Sequence, residues 1–359
     1  MALPSNQLVG LSNGDNGLRE TFRAVKYDLK ITTVEMHVGG DPLRIVTSGF
    51  PNIKGDTLFN KMNYLKDHLA YIRNTLILEP RGHHDMHGAV IVQPDSSDAD
   101  IATLIFNSSG DNVTMCGHSA IAIARFAVDH GYVTPTDPET EVRIQYPCGV
   151  VKAAVEFKNG RSGSVKLQSV PAFVYAKGVD VDVTGVGKVK VDICYGGLFF
   201  AVLSDDKVDI DLRKTPMTKI REVGALVTKS VQEQVKVDHP DAADLSFVYG
   251  TLLTDGKDED ERSMQCCVSD TKLIPRAPCG SGTMARVALQ LSRGQISLNE
   301  TKTFVSAVTG SQYSARPMRK TKCGDFDAVI VEITGRGHYT GTATYITEDG
   351  DQLQHGFLV

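Results

Sequence analysis

Residues 113–127 read VTMCGHSAIAIARFA, and residues 278–289 read PCGSGTMARVAL. Each begins with Cys-Gly and runs on into a mostly apolar segment. Around the first, SAIAIARFAVDHG (119–131) is apolar on nearly every face, which predicts a helix enclosed by other structure. TMARVALQLSRG (283–294) repeats that character. Both end on glycine, Gly131 and Gly294, the usual residue past a helix C-terminus. Before each comes a similar order of short strands and one amphipathic helix. ITTVEMHV (31–38), LRIVTSG (43–49), GAVIVQP (88–94) and IATLIFN (101–107) read as strands, with a single helix over 58–77 between them. VKVDICYGGLFFAVL and a helix over 215–235 precede the second buried helix. This order predicts an α+β chain built by internal duplication, with a boundary near residue 160. One larger α+β domain is the alternative. Expected strands at 303–310, 326–333 and 338–346 follow, and the sequence leaves open which of them cross back to the first half.

The 359 residues are enough for two domains. Apolar residues at 41% and charged residues at 23% fit a folded chain rather than a disordered one. The net charge of −5 gives no electrostatic reason to expect nucleic acid or an anionic membrane. No run reaches the roughly 18 apolar residues of a spanning helix. MALPSNQLVGLSNGDNG lacks the basic start and apolar stretch of a secretory signal. Residues 1–24 therefore read as an extension, and the expected location is cytoplasmic. Seven cysteines, an odd number without a Cys-x-x-Cys pair, argue against a disulfide framework or a structural zinc site.

A helix N-terminus presents unpaired N–H groups and partial positive charge, so it attracts carboxylates and favours thiolate over thiol. Gly117 and Gly280 let a ligand approach the backbone, and His118, Ser119, Ser281, Gly282 and Thr283 add donors. With the halves face to face, Cys116 and Cys279 would flank one small carboxylate. One would remove the proton beside the carboxylate and the other return one from the opposite side. Such inversion requires no cofactor.

MCGH (115–118), PCGSGT (278–283), EPRGHHDMHGA (79–89), VEMHVGGDPLRIVTSGFP (34–51), CYGGLFFA (194–201) and TGTATY (340–345) together resemble the proline racemase family, over about residues 30–359. The resemblance implies a fold like that of diaminopimelate epimerase: two pseudo-symmetric domains, each a curled sheet around a central helix, with the site in the cleft. On that reading the first half comprises 25–160 plus roughly 340–359, and the second 161–339. The family's paired acid and base correspond to Cys116 and Cys279. Its enzymes are usually homodimers without cofactor and act on small imino or amino acids. Members that dehydrate trans-3-hydroxyproline carry threonine at the second cysteine. The cysteine at 279 thus leads to proline racemisation as the expected reaction, with 4-hydroxyproline 2-epimerisation as the alternative, and with dehydration or a non-catalytic imino-acid-binding role ranked below both.

Two positions depart from the family pattern. Pro275 stands where an aspartate contacts the substrate nitrogen, and Leu198 where asparagine is usual. Asp270, five residues upstream, is the candidate substitute for the first. The run His83, His84, Asp85, His87 has a spacing open to a metal. The family has a tight turn there that lines the site without one, so His84 and Asp85 are expected in the site wall and no metal is expected.

Overall fold

The computed structural model describes residues 27–110 and 113–359; the extension expected over 1–24 lies outside them. The chain is α+β. Among the described residues, sixteen strands form one continuous sheet that curls twice, and each curl encloses a helix.

The first curl contains β1 (Tyr27–Val38), β2 (Asp41–Ser48), β3 (His87–Val92), β4 (Ile101–Asn107), β5 (Glu139–Tyr146), β6 (Gly149–Lys158) and β7 (Arg161–Gln168). The second contains β8 (Ala172–Val183), β9 (Gly187–Tyr195), β10 (Phe199–Ser204), β11 (Val248–Thr254), β12 (Arg262–Ser269), β13 (Lys302–Ser306), β14 (Gln312–Cys323) and β15 (Phe326–Gly335). The last strand, β16 (Gly337–Glu348), returns to run antiparallel to β1. Strand order is β7-β6-β5-β4-β3-β2-β1-β16 in one curl and β15-β14-β13-β12-β11-β10-β9-β8 in the other. The two orders correspond strand for strand. The parallel pairs correspond as well: β2–β3 and β4–β5 match β10–β11 and β12–β13. β15 joins the curls by pairing with both β7 and β8, and β14–β15 closes the second into a ring. Residue 160 falls at the turn of the β6–β7 hairpin.

The single helix expected over 58–77 is two, α1 (Leu58–His68) and α2 (Ala70–Ile77). Leu69, at φ −120° and ψ 16°, breaks them apart. Its side chain is buried in the cluster of Ile31, Leu58, Leu65 and Ile72, so core packing overrides the continuous helical pattern. Between β4 and β5 lies α3 (Gly117–Asp129); α4 (Met217–Gln234) follows β10, and α5 (Gly280–Ser292) lies between β12 and β13.

The enclosed helices explain the sequence pattern around the two Cys-Gly pairs. Ala120, Ile121, Ala122, Ile123 and Ala124 of α3 are all fully buried, because strands surround the helix. Each large aliphatic side chain so buried contributes about 1.5–3 kcal/mol. Both helices stop as their glycines predict. Gly131 and Gly294 take φ of +74° and +72°, and the next residues, Tyr132 and Gln295, donate back to Ala127 and Gln290 at 2.9 Å each. No helix among the described residues is long and apolar enough to cross a membrane. All seven cysteines are free.

Candidate active site

The two enclosed helices meet at their N-termini. A Cβ built on Gly117 would lie 2.7 Å from the Cα of Gly280, and one on Gly280 2.8 Å from the Cα of Gly117. Only glycine permits this approach. Two sets of free N–H groups, each at the positive end of a helix, therefore converge on one point. Cys116 and Cys279 are the N-cap residues on either side of it. The sulfurs are close enough that charge on Cys279 raises the Cys116 thiol. In each half the N–H three residues on, of Ser119 or Gly282, faces the sulfur.

The two cysteines are not equivalent. Cys116 has ordinary extended backbone, φ −141°. Cys279 has φ +67°, which strains a non-glycine residue. Its neighbours fix it there. The Thr283 hydroxyl and N–H both donate to the Cys279 carbonyl at 2.8 Å. Gln265 of β12 donates to the Pro278 carbonyl and, at 2.7 Å, to Thr283. Thr283, expected as a substrate donor, is thus committed to holding the turn.

Their proton affinities also diverge. Burial pushes the Cys116 thiol up to about 12, against the pull of the Ser119 hydroxyl and N–H. Cys279 lies below its ordinary value, because the Cys267 thiol donates to it and Gly282 N–H and the Ser281 hydroxyl assist, against burial. Cys267 rises correspondingly. At neutral pH Cys116 carries its proton, and Cys279 is the more readily ionised.

Beside Cys116 lies a buried polar group. His118 Nδ1 is 3.1 Å from the Cys116 sulfur and 3.2 Å from Asp41 Oδ2. His87 packs edge-on to His118, ring centroids 4.8 Å apart. Burial lowers His118 to about 3. Burial and then the charge of His118 lower His87 to about 4. Both imidazoles are therefore neutral. Asp41 is raised by burial to about 6, although the charges of His87 and Arg276 oppose the rise. His87, Cys116 and His118 bring donor atoms within 4.8 Å of one another, a set that suits a soft divalent ion. An ion there would occupy the thiol that proton transfer requires. Of the run His83, His84, Asp85, His87, only His87 belongs to this group.

The remaining expected site residues divide. Gly117, His118, Gly280, Ser281 and Gly282 lie at the helix junction; Ser281 Oγ is 4.0 Å from the Cys279 sulfur. Asp85 ties the halves together. Its carboxylate accepts twice from Arg221 at 3.1 Å, once from Ile274 N–H at 3.1 Å, and pairs with Arg276 at 2.9 Å. Burial opposes its ionisation, but these donors hold it well below the usual carboxylate range. His84 is partly exposed and leans on Asp85, 3.2 Å away. Asp270 accepts from Gln232 of α4 at 3.1 Å and faces a surface groove with Glu222, Leu226 and Lys229. No cysteine lines that groove. Leu198 is buried in an apolar cluster with Phe200, Leu252 and Cys279.

Sequence reasoning missed Asp41, Cys267 and Tyr313. Tyr313 is buried, and charge on Asp41, Cys116 and Cys279 all raise its hydroxyl. The signal for Asp41 was an acid after two glycines in VGGDP, which both take positive φ and form a tight turn.

A model of the family described as Proline racemase matches residues 33–358. A Saccoglossus kowalevskii protein named trans-L-3-hydroxyproline dehydratase is 52% identical over 90% of this chain and 100% of its own length. The Homo sapiens trans-3-hydroxy-L-proline dehydratase is 46% identical over 92% of this chain and 94% of its own. Among solved structures, a hydroxyproline epimerase from Agrobacterium vitis with bound trans-4-OH-L-proline matches with a TM-score of 0.86 and 25% identity, over 94% of this chain and 96% of that one. The named dehydratases overturn the expected order of reactions, in which proline racemisation came first and 4-hydroxyproline 2-epimerisation second. The cysteine at 279 was the ground for that order, and one residue does not outweigh similarity along nearly the whole chain.

Proposed function

Because the chain belongs to the proline racemase family, we propose that it removes water from trans-3-hydroxy-L-proline, with Cys116 as the base. The observation that carries this reading is the contact of Cys116 with His118 on one side of the helix junction, in a chain half identical to a named dehydratase. In a trans-3-hydroxy-L-amino acid ring the hydroxyl and the C2 hydrogen project from the same face. A base and an acid on one side therefore suffice for elimination.

The substrate carboxylate binds between the two helix N-termini, where N–H groups stabilise the charge that grows as C2 is deprotonated. In one concerted step the sulfur removes the C2 hydrogen while its own proton moves by way of His118 Nδ1 toward the departing hydroxyl, so neither a free thiolate nor an imidazolium accumulates. The electron pair forms the C2–C3 double bond and the C3–O bond breaks. The departing hydroxide receives the proton from His118 and leaves as water. Cys116 is then protonated and His118 neutral, as at the start. The enamine product tautomerises to the cyclic imine.

Incubation with trans-3-hydroxy-L-proline should give one cyclic imine per substrate consumed, trapped by borohydride. Cys116→Ala should lower kcat/KM by about 10³-fold or more. Absence of imine, or full activity without the thiol, overturns the reading.

Cys279 supports a second reading: epimerisation at C2 of the same 3-hydroxy acid. The backbone strain at Cys279 and the Cys267 thiol beside it point to a working second base. In deuterated water the C2 epimer should then form, carrying deuterium at C2. Cys279→Thr should remove that exchange and leave dehydration. Loss of dehydration in Cys279→Thr would contradict the assignment of Cys116 as the eliminating base.

A further inference from the structure

Four acidic residues are buried among the described residues: Asp41, Asp85, Asp192 and Glu332. Three are matched by arginine. Asp85 pairs with Arg221 and Arg276, Asp192 with Arg293, and Glu332 with Arg316, at 2.6–3.1 Å. Asp41 has no such partner. Its ion-pair neighbour is His118, which burial keeps neutral. Neither carboxylate oxygen makes a well-formed hydrogen bond, although the residue is fully buried. An unmatched buried carboxylate is costly, and a protein that keeps one has a use for it.

The position of Asp41 narrows that use. One imidazole nitrogen, His118 Nδ1, lies 3.2 Å from its carboxylate and 3.1 Å from the Cys116 sulfur, and the charge of Asp41 is also felt by Cys267, Cys279 and Tyr313, so Asp41 lies near both thiols. The backbone N–H of Arg276 also approaches its carboxylate, which brings Asp41 to within a peptide unit of Pro275. Pro275 carries no charge, and the Arg276 head group is taken by Asp85. The helix N-termini supply positive potential only. A substrate with both a carboxylate and a ring ammonium needs one negative group in this space.

We propose that Asp41 receives the ring ammonium of the substrate, and so fixes which face of C2 meets Cys116. This rests on the reading of the substrate as a cyclic imino acid, and deepens it by assigning the selectivity for ring nitrogen to one residue. It also explains why no arginine or lysine forms an ion pair with this carboxylate: the pairing cation arrives with the ligand.

The test compares two ligands that lack the 3-hydroxyl and differ only in the ring atom, L-proline and (S)-tetrahydrofuran-2-carboxylate. Calorimetry on the full chain should show wild type binding the ring-nitrogen ligand about 30-fold or more tighter. Asp41→Asn should bring the two within about threefold, chiefly by weakening proline, and Asp41→Glu should restore part of the difference. A merely structural role would weaken both ligands alike. In a measurement that needs no variant, wild type near pH 6 should release a proton on binding proline and none on binding the furan acid, read in buffers of different ionisation heat. Unchanged selectivity in Asp41→Asn, no selectivity in wild type, or equal proton release for both ligands overturns the proposal. If selectivity depends on Asp41 but no imine forms from trans-3-hydroxy-L-proline, the dehydration reading fails and this one stands. If imine forms and selectivity survives Asp41→Asn, the reverse holds.

Discussion

Asp41 has a cost that can be measured without any substrate. Its folded pKa of about 6 exceeds the ordinary 3.8. Between those values the folded chain holds a proton that the unfolded chain has lost. Stability therefore falls as pH rises through that window, and the loss is complete by pH 7. A shift of about two pH units corresponds to roughly 3 kcal/mol as an upper figure. His118 and His87 act with the opposite sign. Their folded values, about 3 and about 4, lie below the ordinary 6.5, so they cost stability as pH falls below 6.5. Asp41→Asn removes the first effect and leaves the second. Urea unfolding should show the variant gaining on wild type as pH is raised from 4 to 7. A difference independent of pH would show that Asp41 is not held in this strained state. A gain in stability with a loss of ligand selectivity is the usual trade at a functional residue.

At the level of elements, the site is the junction of two helix ends, and Gly117 and Gly280 allow it. Gly117→Ala places a methyl group 2.7 Å from a backbone atom of the other helix. The helices must part, at about 1–3 kcal/mol, and the two sets of N–H groups no longer meet. The variant should melt lower than wild type and lose turnover even with both cysteines intact. Wild-type turnover in Gly117→Ala would show that the close approach is not required. These helices were legible in the sequence because enclosure leaves an all-round apolar pattern, and because Gly131 and Gly294 mark their ends. The break at Leu69 was not legible, since the helical period runs through it and only the core beneath turns the leucine inward. Asp85 was read as a wall of the site, yet its partners Arg221 and Arg276 lie more than 130 positions away. No local pattern announces such a pairing. Asp41 escaped for the same reason: what makes it unusual is that no arginine or lysine pairs with its buried carboxylate, and that is visible only when distant strands and helices are assembled.

Across the whole molecule, the repeated strand order accounts for the paired helix ends, and divergence around them for the asymmetry of the site. The two curls carry the same strand order, and β16 completes the first by returning from the far end of the chain. The C-terminal segment extends this return, with Glu79 and Phe357 exchanging backbone hydrogen bonds at 3.0 Å. Matching halves supply matching thiols, but the surroundings of the thiols have diverged. Cys116 has His118, Asp41 and His87 beside it; Cys279 has Cys267 and an apolar cluster with Leu198 and Leu252. Groups able to relay a proton thus collect beside Cys116. An elimination in which hydrogen and hydroxyl leave from the same face needs such a one-sided arrangement.

The most direct measurement compares imine formation from trans-3-hydroxy-L-proline and its cis isomer, in which the hydroxyl lies on the face opposite the C2 hydrogen. Elimination by Cys116 and His118 on one face should favour the trans compound by about 100-fold or more in kcat/KM. Comparable rates on the two isomers would contradict it.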